Sequence, residues 1–439
     1  MKNLERNIKS RKLTMSVVGL GYVGLPLLLL LSKLGFAAIG IDKNSQKVRN
    51  LNSLKLEFLK NNPTAEKLLR ESFKKPNFKI TDKFTPLKSV DFIFITVDTP
   101  IKKNKKPDQK NVTNAALNIA KNIKKGAIII VESTVAPTTT EKLIIPTIER
   151  ESKLKADQGF YVAVCSERVR PNEDVFKDMR EFPRVIGVTS PKAVLAVRAI
   201  YELITKGEIS IVDCLTAEIV KTTENALRDV KIAFANEVAL ICESLGADVW
   251  KVRELVNKRG LTDNMLVPGL GVGGHCLPKD SWLLVFSSKT RNIKIMPSAR
   301  KINSYMPKHV SDLVLKEIKN KKINPKKAKV LILGYSYIEN CEDTRNSPSI
   351  DLIDNLKKVG VSKISVHDPF INEFNNDPYK KAQSVDCLVL AVKHNQFKDL
   401  DLKKFKKVMR TPVIFDCKNF FEKEKCQDLG FDYHALGAL

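Results

Sequence analysis

The chain has 439 residues, 43% hydrophobic and 28% charged, enough apolar material for two or three cored domains and too much for wholesale disorder. Lys and Arg number 75 against 49 Asp and Glu, and the resulting net charge of +26 favours phosphate-bearing or other acidic partners. Eight scattered cysteines with no Cys-x-x-Cys pair exclude a disulfide scaffold and a zinc-ligand spacing; no metal is expected, and a reducing, cytoplasmic compartment is.

In chain order, residues 1–12 read as a basic tail without the apolar stretch of a secretion signal. Val17 to Ile41 carries a single charge, Lys33, and approaches the length of a membrane span. Gly19, Gly21, Gly24, Pro26, Gly35 and Gly40 punctuate it instead as strand, turn, helix (Gly21 to Leu34), turn and strand, so no membrane association is expected. Strands are predicted at Met15–Val18, Ala38–Ile41, Phe92–Val97, Ala127–Glu132 and Val162–Cys165, alternating with helices in a βαβ pattern. From Thr216 to Leu245 an uninterrupted stripe, Ile219, Val220, Ala226, Leu227, Val230, Ala233, Phe234, Val238 and Ile241, predicts one long helix, either a spine with a dimer surface or an ordinary buried helix. A Gly/Pro-rich loop follows, Arg259 to Asp280, and Asn320–Lys329 reads as a solvated linker. Strands return at Lys329–Leu333, Ile364–Val366, Leu388–Val392 and Val413–Phe415, with a helix at Pro348–Val359. The expected fold class is therefore α/β, two Rossmann-like parallel-sheet domains joined by a long central helix.

VVGLGYVG holds Gly19-x-Gly21-x-x-Gly24 between a strand and a helix, and Asp42 ends the next strand 18 residues after Gly24. Gly19 permits the tight turn, Gly21 lets backbone N–H groups approach a pyrophosphate, and Gly24 lets helix and strand pack closely. Asp42 can accept from a ribose diol and would repel a 2′-phosphate, so the cofactor expected is NAD. A second signal is PGLGVGGHCLPKD, where Cys276 stands beside His275 and near Lys279 and Asp280. A thiolate next to cationic groups is favoured and nucleophilic. The other seven cysteines are read as buried structural residues. On the long helix Lys221 and Asn225 are four apart and share a face on which an oxyanion can be held; alone, such a pair also describes a solvated helix edge.

VVGLGYVGLP, FITVDTP, ESTVAPTTTE, SERVRPN, AEIVKTTENALRDVKIAFANE, PGLGVGGHCLPKD and CEDTRNSP follow one another from about Leu13 to Phe420. In that order they resemble the UDP-glucose/GDP-mannose dehydrogenase family. The resemblance implies an NAD-dependent four-electron oxidation of a sugar C6 alcohol to a carboxylate through a thiohemiacetal and a thioester on Cys276. It implies that Asp280 assists water, that Lys221 and Asn225 stabilise an oxyanion, that Thr134 helps hold the water and that Glu167 serves substrate binding and acid–base chemistry. Tyr22, Val23, Thr99, Thr134 and Arg345 are placed with the cofactor. Arg168 and Gly273 join Glu167, Lys221 and Asn225 with the substrate. The implied domains are a cofactor domain at 13–205, a central helical domain at 206–305 with the Cys loop, and a UDP-sugar domain at 306–439, dimerising through the central helix.

SERVRPN, with Pro171 where the UDP-glucose branch usually has a second Glu, resembles the branch acting on UDP-N-acetylhexosamines, most of all UDP-N-acetyl-D-mannosamine. The alternative is UDP-glucose with the same mechanism. Two departures bear on substrate affinity: Ile338 replaces a family lysine, and LKLEFLKNNPTAEKLL stands where EPGL is usual. A nucleic-acid binder is disfavoured because the lysines are scattered and no recognised binding pattern occurs. A non-catalytic homologue is disfavoured because Cys276, Lys221 and Asp280 are all retained.

Overall fold

A computed structural model describes residues 2–56, 59, 62–170, 172–260, 264–290 and 292–438. Pro171, residues 57, 58, 60 and 61 of the departing segment, and residues 261–263 of the Gly/Pro-rich loop lie outside the described residues. The chain divides into two compact units, Met1–Glu224 with Trp282–Lys289 and Asn225–Ser281 with Thr290–Leu439.

The first unit is built on eight strands: β1 (Thr14–Val18), β2 (Ala37–Ile41), β3 (Phe78–Thr81), β4 (Phe92–Ile95), β5 (Ile128–Val131), β6 (Tyr161–Val164), β7 (Arg184–Val188) and β8 (Ile209–Val212). Their order is β3-β2-β1-β4-β5-β6-β7-β8. All neighbours are parallel except β6 and β7, which run antiparallel. β4 (FIFI) and β5 (IIIV) are buried at every position, the continuous apolar run that a parallel sheet covered on both faces requires. The helix Gly24–Lys33 is buried from Gly24 through Ser32, which explains its resemblance to a membrane span. Its ten residues extend only about 15 Å, half of a hydrocarbon core. No helix among the described residues is long and apolar enough to cross a membrane.

The second unit carries β9 (Lys329–Leu333), β10 (Lys363–His367), β11 (Cys387–Leu390), β12 (Val413–Asp416) and β13 (Asp432–Ala435) in the order β10-β9-β11-β12-β13, all parallel. The two sheets use the same device after their first strand. In the first, the Asp42 carboxylate at the end of β2 accepts the Leu20 N–H at 2.9 Å and so holds the turn that follows β1. In the second, Asp368 just past β10 accepts the N–H groups of Tyr335 and Ser336 at 2.7 and 3.0 Å and holds the turn after β9.

One helix, Cys214–Leu245, links the two units. Its apolar positions divide by size. Ala226, Ala233, Ala235 and Ala239 are buried, whereas Leu227, Phe234, Ile241 and Leu245 are 51–76% exposed.

Several expectations need correction. The basic tail is a helix, Lys2–Lys9, whose Ile8 is buried in the core of the first unit. Arg11 fixes it by donating to the carbonyls of Leu34 and Ile8 at 2.9 and 2.7 Å. The first glycine-turn helix starts at Gly24 rather than Gly21. Asp280 lies within a helix, Leu277–Ser287, rather than at the end of a loop. Strands β3, β7, β8 and β13 were not anticipated: each is four or five residues long and polar or glycine-interrupted, too short for periodicity to show.

Candidate active site

In the first sheet the strand order reverses between β1 and β4, where open α/β sheets bind ligands beyond the carboxyl ends of their strands. Gly19 sits there at φ +100°, a left-handed conformation that favours glycine. A Cβ on Gly24 would collide with the Gly19 carbonyl oxygen and with Thr96 Oγ1, so the third glycine is required by packing. Thr96, at the end of β4, donates to the Gly19 carbonyl at 2.6 Å and ties the turn to the neighbouring strand. The Cβ direction of Gly21 faces open space, which leaves room for a pyrophosphate against the backbone. Tyr22 and Val23 follow on the same turn, half-buried. Asp42 is 6% exposed and also accepts from Lys47 Nζ at 2.8 Å. Lys47 was not anticipated; it neutralises the carboxylate while leaving acceptor capacity for a diol. Thr99 donates to the Thr134 carbonyl at 2.6 Å, joining the loops that follow β4 and β5.

The first unit also holds Glu167, Arg168 and Lys221. Glu167 is 7% exposed and accepts from Arg184 Nη1 at 2.7 Å and from the Arg168 N–H at 2.6 Å. Arg168 forms two bonds to Glu224 on the linking helix, at 2.5 and 3.2 Å, so its charge is used within the protein. Lys221 lies one turn before Glu224 on the same helix, half-buried.

The second unit holds Asn225, Gly273, Cys276, Asp280 and Arg345. Of the eight cysteines only Cys276 is exposed. It immediately precedes the helix Leu277–Ser287, and its carbonyl accepts the N–H groups of Lys279 and Asp280 at 3.1 and 2.9 Å. A helix N-terminus favours negative charge, and therefore a thiolate. His275 Nδ1 is 4.0 Å from its Sγ. Lys279 and Asp280 are buried and paired with each other at 2.5 Å. Asp280 also accepts from Asn225 Nδ2 at 2.6 Å, so two of the expected catalytic residues meet directly.

The glycines of the Cys loop serve its own packing. A Cβ on Gly273 would lie 2.6 Å from the Asn346 carbonyl oxygen and 2.7 Å from Tyr337 Cβ, and Gly274, at φ +85°, lies against the Tyr337 ring. The direction a Gly273 side chain would take is thus filled by protein. Arg345 is paired with Asp343 at 2.6 Å, and its carbonyl accepts the Gly274 N–H at 2.9 Å. It belongs to the unit that carries the thiol.

Sequence reasoning missed the residues that anchor this loop. Asn236 on the linking helix accepts the Gly269 N–H at 2.8 Å and donates to Asn303 at 2.9 Å. Asn303 and Arg300 both donate to Asp229, at 2.8 and 2.7 Å. Lys418 was also missed. Its Nζ fills the space where a side chain on Gly269 would stand, and desolvation pushes its pKa down. Glu317, Asp432 and His434 bring ligand-type atoms within 4.8 Å of one another, but Lys321 already pairs with Asp432 at 2.8 Å.

The first unit is thus a dinucleotide-binding unit, and with a nucleophile-type cysteine elsewhere in the chain its class is that of the nicotinamide-dependent oxidoreductases. Three models of one family match in succession: the NAD binding domain over residues 13–205, the central domain over 215–305 and the UDP binding domain over 331–423. The chain belongs to the UDP-glucose/GDP-mannose dehydrogenase family. It is an NAD-dependent UDP-sugar dehydrogenase. It is 33% identical to a UDP-N-acetyl-D-mannosamine dehydrogenase of Pyrococcus horikoshii, covering 96% of this chain and 98% of that one. It is 31% identical to an NDP-N-acetyl-D-galactosaminuronic acid dehydrogenase of Ralstonia solanacearum, covering 96% and 99%. A solved structure of the Pyrococcus horikoshii UDP-N-acetylmannosamine enzyme superimposes with a TM-score of 0.91 at 32% identity, over 97% of this chain and 99% of that one.

Proposed function

We propose that the chain oxidises the C6 alcohol of a UDP-N-acetylhexosamine, foremost UDP-N-acetyl-D-mannosamine, to the uronic acid through a covalent thioester on Cys276. The observation that carries this reading is the exposure of Cys276 at a helix N-terminus while the other seven cysteines are buried. NAD, which the Gly19–Gly24 turn and Asp42 would hold, would supply the hydride acceptor for each of two oxidation stages at C6. The first stage leaves an aldehyde. The Cys276 sulfur adds to that carbon, giving a thiohemiacetal whose loss of hydride yields a thioester. Water then cleaves the C–S bond, releasing the carboxylate and returning the thiol. Lys221 and Asn225, on one helix face, stabilise the oxyanion of the tetrahedral stages. Asp280 orients Asn225 through their 2.6 Å bond and assists the water, Glu167 serves acid–base chemistry and substrate binding with Arg168, and Thr134 holds the water. Tyr22, Val23, Thr99, Thr134 and Arg345 complete the cofactor contacts, and Gly273 lies along the sugar. The three working parts are the cofactor domain 13–205, the central domain 206–305 and the UDP-sugar domain 306–439. The reaction is placed in the cytoplasm, which the eight cysteines outside any disulfide support.

The substrate preference draws on the relatives and on SERVRPN. In place of the lysine lost at Ile338, Lys418 meets the nucleotide: desolvation pushes its pKa down, the charge of Glu339, the residue after Ile338, opposes that shift, and a phosphate beside it would favour the charged form. The test is NADH release over UDP-glucose and the UDP-N-acetylhexosamines. Two NADH per sugar and a kcat/KM for UDP-N-acetyl-D-mannosamine at least about tenfold above that for UDP-glucose are expected, a difference of about 1.4 kcal/mol. A preference for UDP-glucose overturns the substrate reading. In the same assay Lys418→Met raises the sugar KM about tenfold or more, the loss expected for one charge-assisted contact.

The partner proposed is a second copy of the chain, joined through the linking helix. Leu227, Phe234 and Ile241 recur every seven residues and are 51–58% exposed, an apolar seam that water disfavours. Phe234→Glu places a charge in the seam and converts the dimer to monomer in analytical ultracentrifugation. An unchanged sedimentation coefficient would remove the seam from the interface.

A further inference from the structure

Behind Glu167, inside the first unit, lies a cluster that the mechanism does not use. Arg184, the first residue of β7, has a wholly buried side chain. Its Nη1 donates to Glu167 Oε1 at 2.7 Å and its Nη2 to the Met179 carbonyl at 3.1 Å, while its Nε has no partner. Glu132, just past β5, is 3% exposed. Its Oε1 accepts from the hydroxyl of Tyr201, a fully buried residue of the helix Pro191–Ile204, and its Oε2 has no partner. The thiol of Cys165 completes the cluster, also fully buried. With both carboxyls ionised, this buried site would hold two negative charges against one guanidinium, a net charge that burial strongly disfavours.

We propose that Arg184 is the positioning residue of Glu167, and that Glu132 works as a neutral acid whose ionisation competes with Glu167 for that guanidinium. The proposal rests on the role given to Glu167 above. Burial first, then the charge of Glu167, push the Glu132 pKa up to about 8, against the opposing effects of Arg184 and the Tyr201 hydroxyl. Glu132 therefore keeps its proton at neutral pH, and Arg184 is left to Glu167. The linkage has a definite sign. A carboxyl with a raised pKa in the folded state contributes stability that is complete below its ordinary value of 4.5 and is lost as pH rises through about 8.

The experiment measures kcat from pH 6.5 to 9.5 with UDP-sugar and NAD for the wild type, Glu132→Gln and Tyr201→Phe, with urea unfolding of each at the same pH values. Glu132→Gln is an isostere fixed in the neutral state. The ratio of its kcat to that of the wild type is expected to rise about tenfold across a midpoint near 8, while its stability loses the wild-type decline over that range. Tyr201→Phe removes a donor to the ionised carboxylate, so its midpoint moves to higher pH. A ratio that stays flat overturns the proposal, including the case in which the stability curves differ as expected, because Glu132 would then titrate without reaching Glu167. Glu167→Gln separates the underlying reading: if that variant keeps wild-type kcat at every pH, Glu167 has no catalytic role whatever the Glu132 ratio does.

Discussion

Replacing Cys276 by serine lowers uronic acid formation by more than about 10³-fold, the scale on which loss of a covalent nucleophile is measured. Serine preserves size and position and removes only the readily ionised sulfur, so folding and sugar binding persist. A hydroxyl at neutral pH does not capture the aldehyde competitively. The variant halts after one hydride, and NADH per sugar falls from two toward one with aldehyde detectable by hydrazone formation. The exposure of Cys276 gives the substitution little to disturb in the core, in contrast to a change at Cys165 or Cys387, both fully buried. Wild-type acid production by the serine variant would refute the thioester.

Asp280→Ala combines a stability loss with a catalytic one. Asp280 is fully buried, and removing it takes a buried carboxylate partner from Lys279, itself 5% exposed, and from the amide of Asn225. Breaking a buried pair from one side costs about 3–5 kcal/mol. Urea unfolding measures that loss, and kcat falls about 10²-fold or more as the oxyanion and water positions loosen. The double variant Lys279→Met/Asp280→Leu removes both charges, so it recovers stability but not activity. A single variant as stable as the wild type would contradict the buried pair.

The parts of this enzyme that local rules dictate were legible in its residues. Gly19, Gly24 and Asp42 are tied to one turn by backbone geometry, so their spacing carried both fold and cofactor. The linking helix was legible because it contains no glycine or proline over 32 residues. Its surface was not: periodicity grouped Ala226 and Ala233 with Leu227 and Phe234, although the small residues pack inward and the large ones face out. Long-range pairing was the larger gap. No motif or spacing singled out Asp229 and Asn236, and only the fold shows them reaching Arg300, Asn303 and Gly269 across more than thirty residues of chain. Lys279 adds a further case: it stands three residues after Cys276 in the sequence, and only the fold shows its pairing with the buried Asp280.

The most direct measurement is acid quenching of the wild-type enzyme during steady turnover, followed by mass analysis of the peptide containing Cys276. A UDP-uronoyl adduct on that peptide, discharged by hydroxylamine, is the predicted result; an unmodified Cys276 peptide while acid continues to accumulate at full rate, or an adduct on another residue, would contradict it.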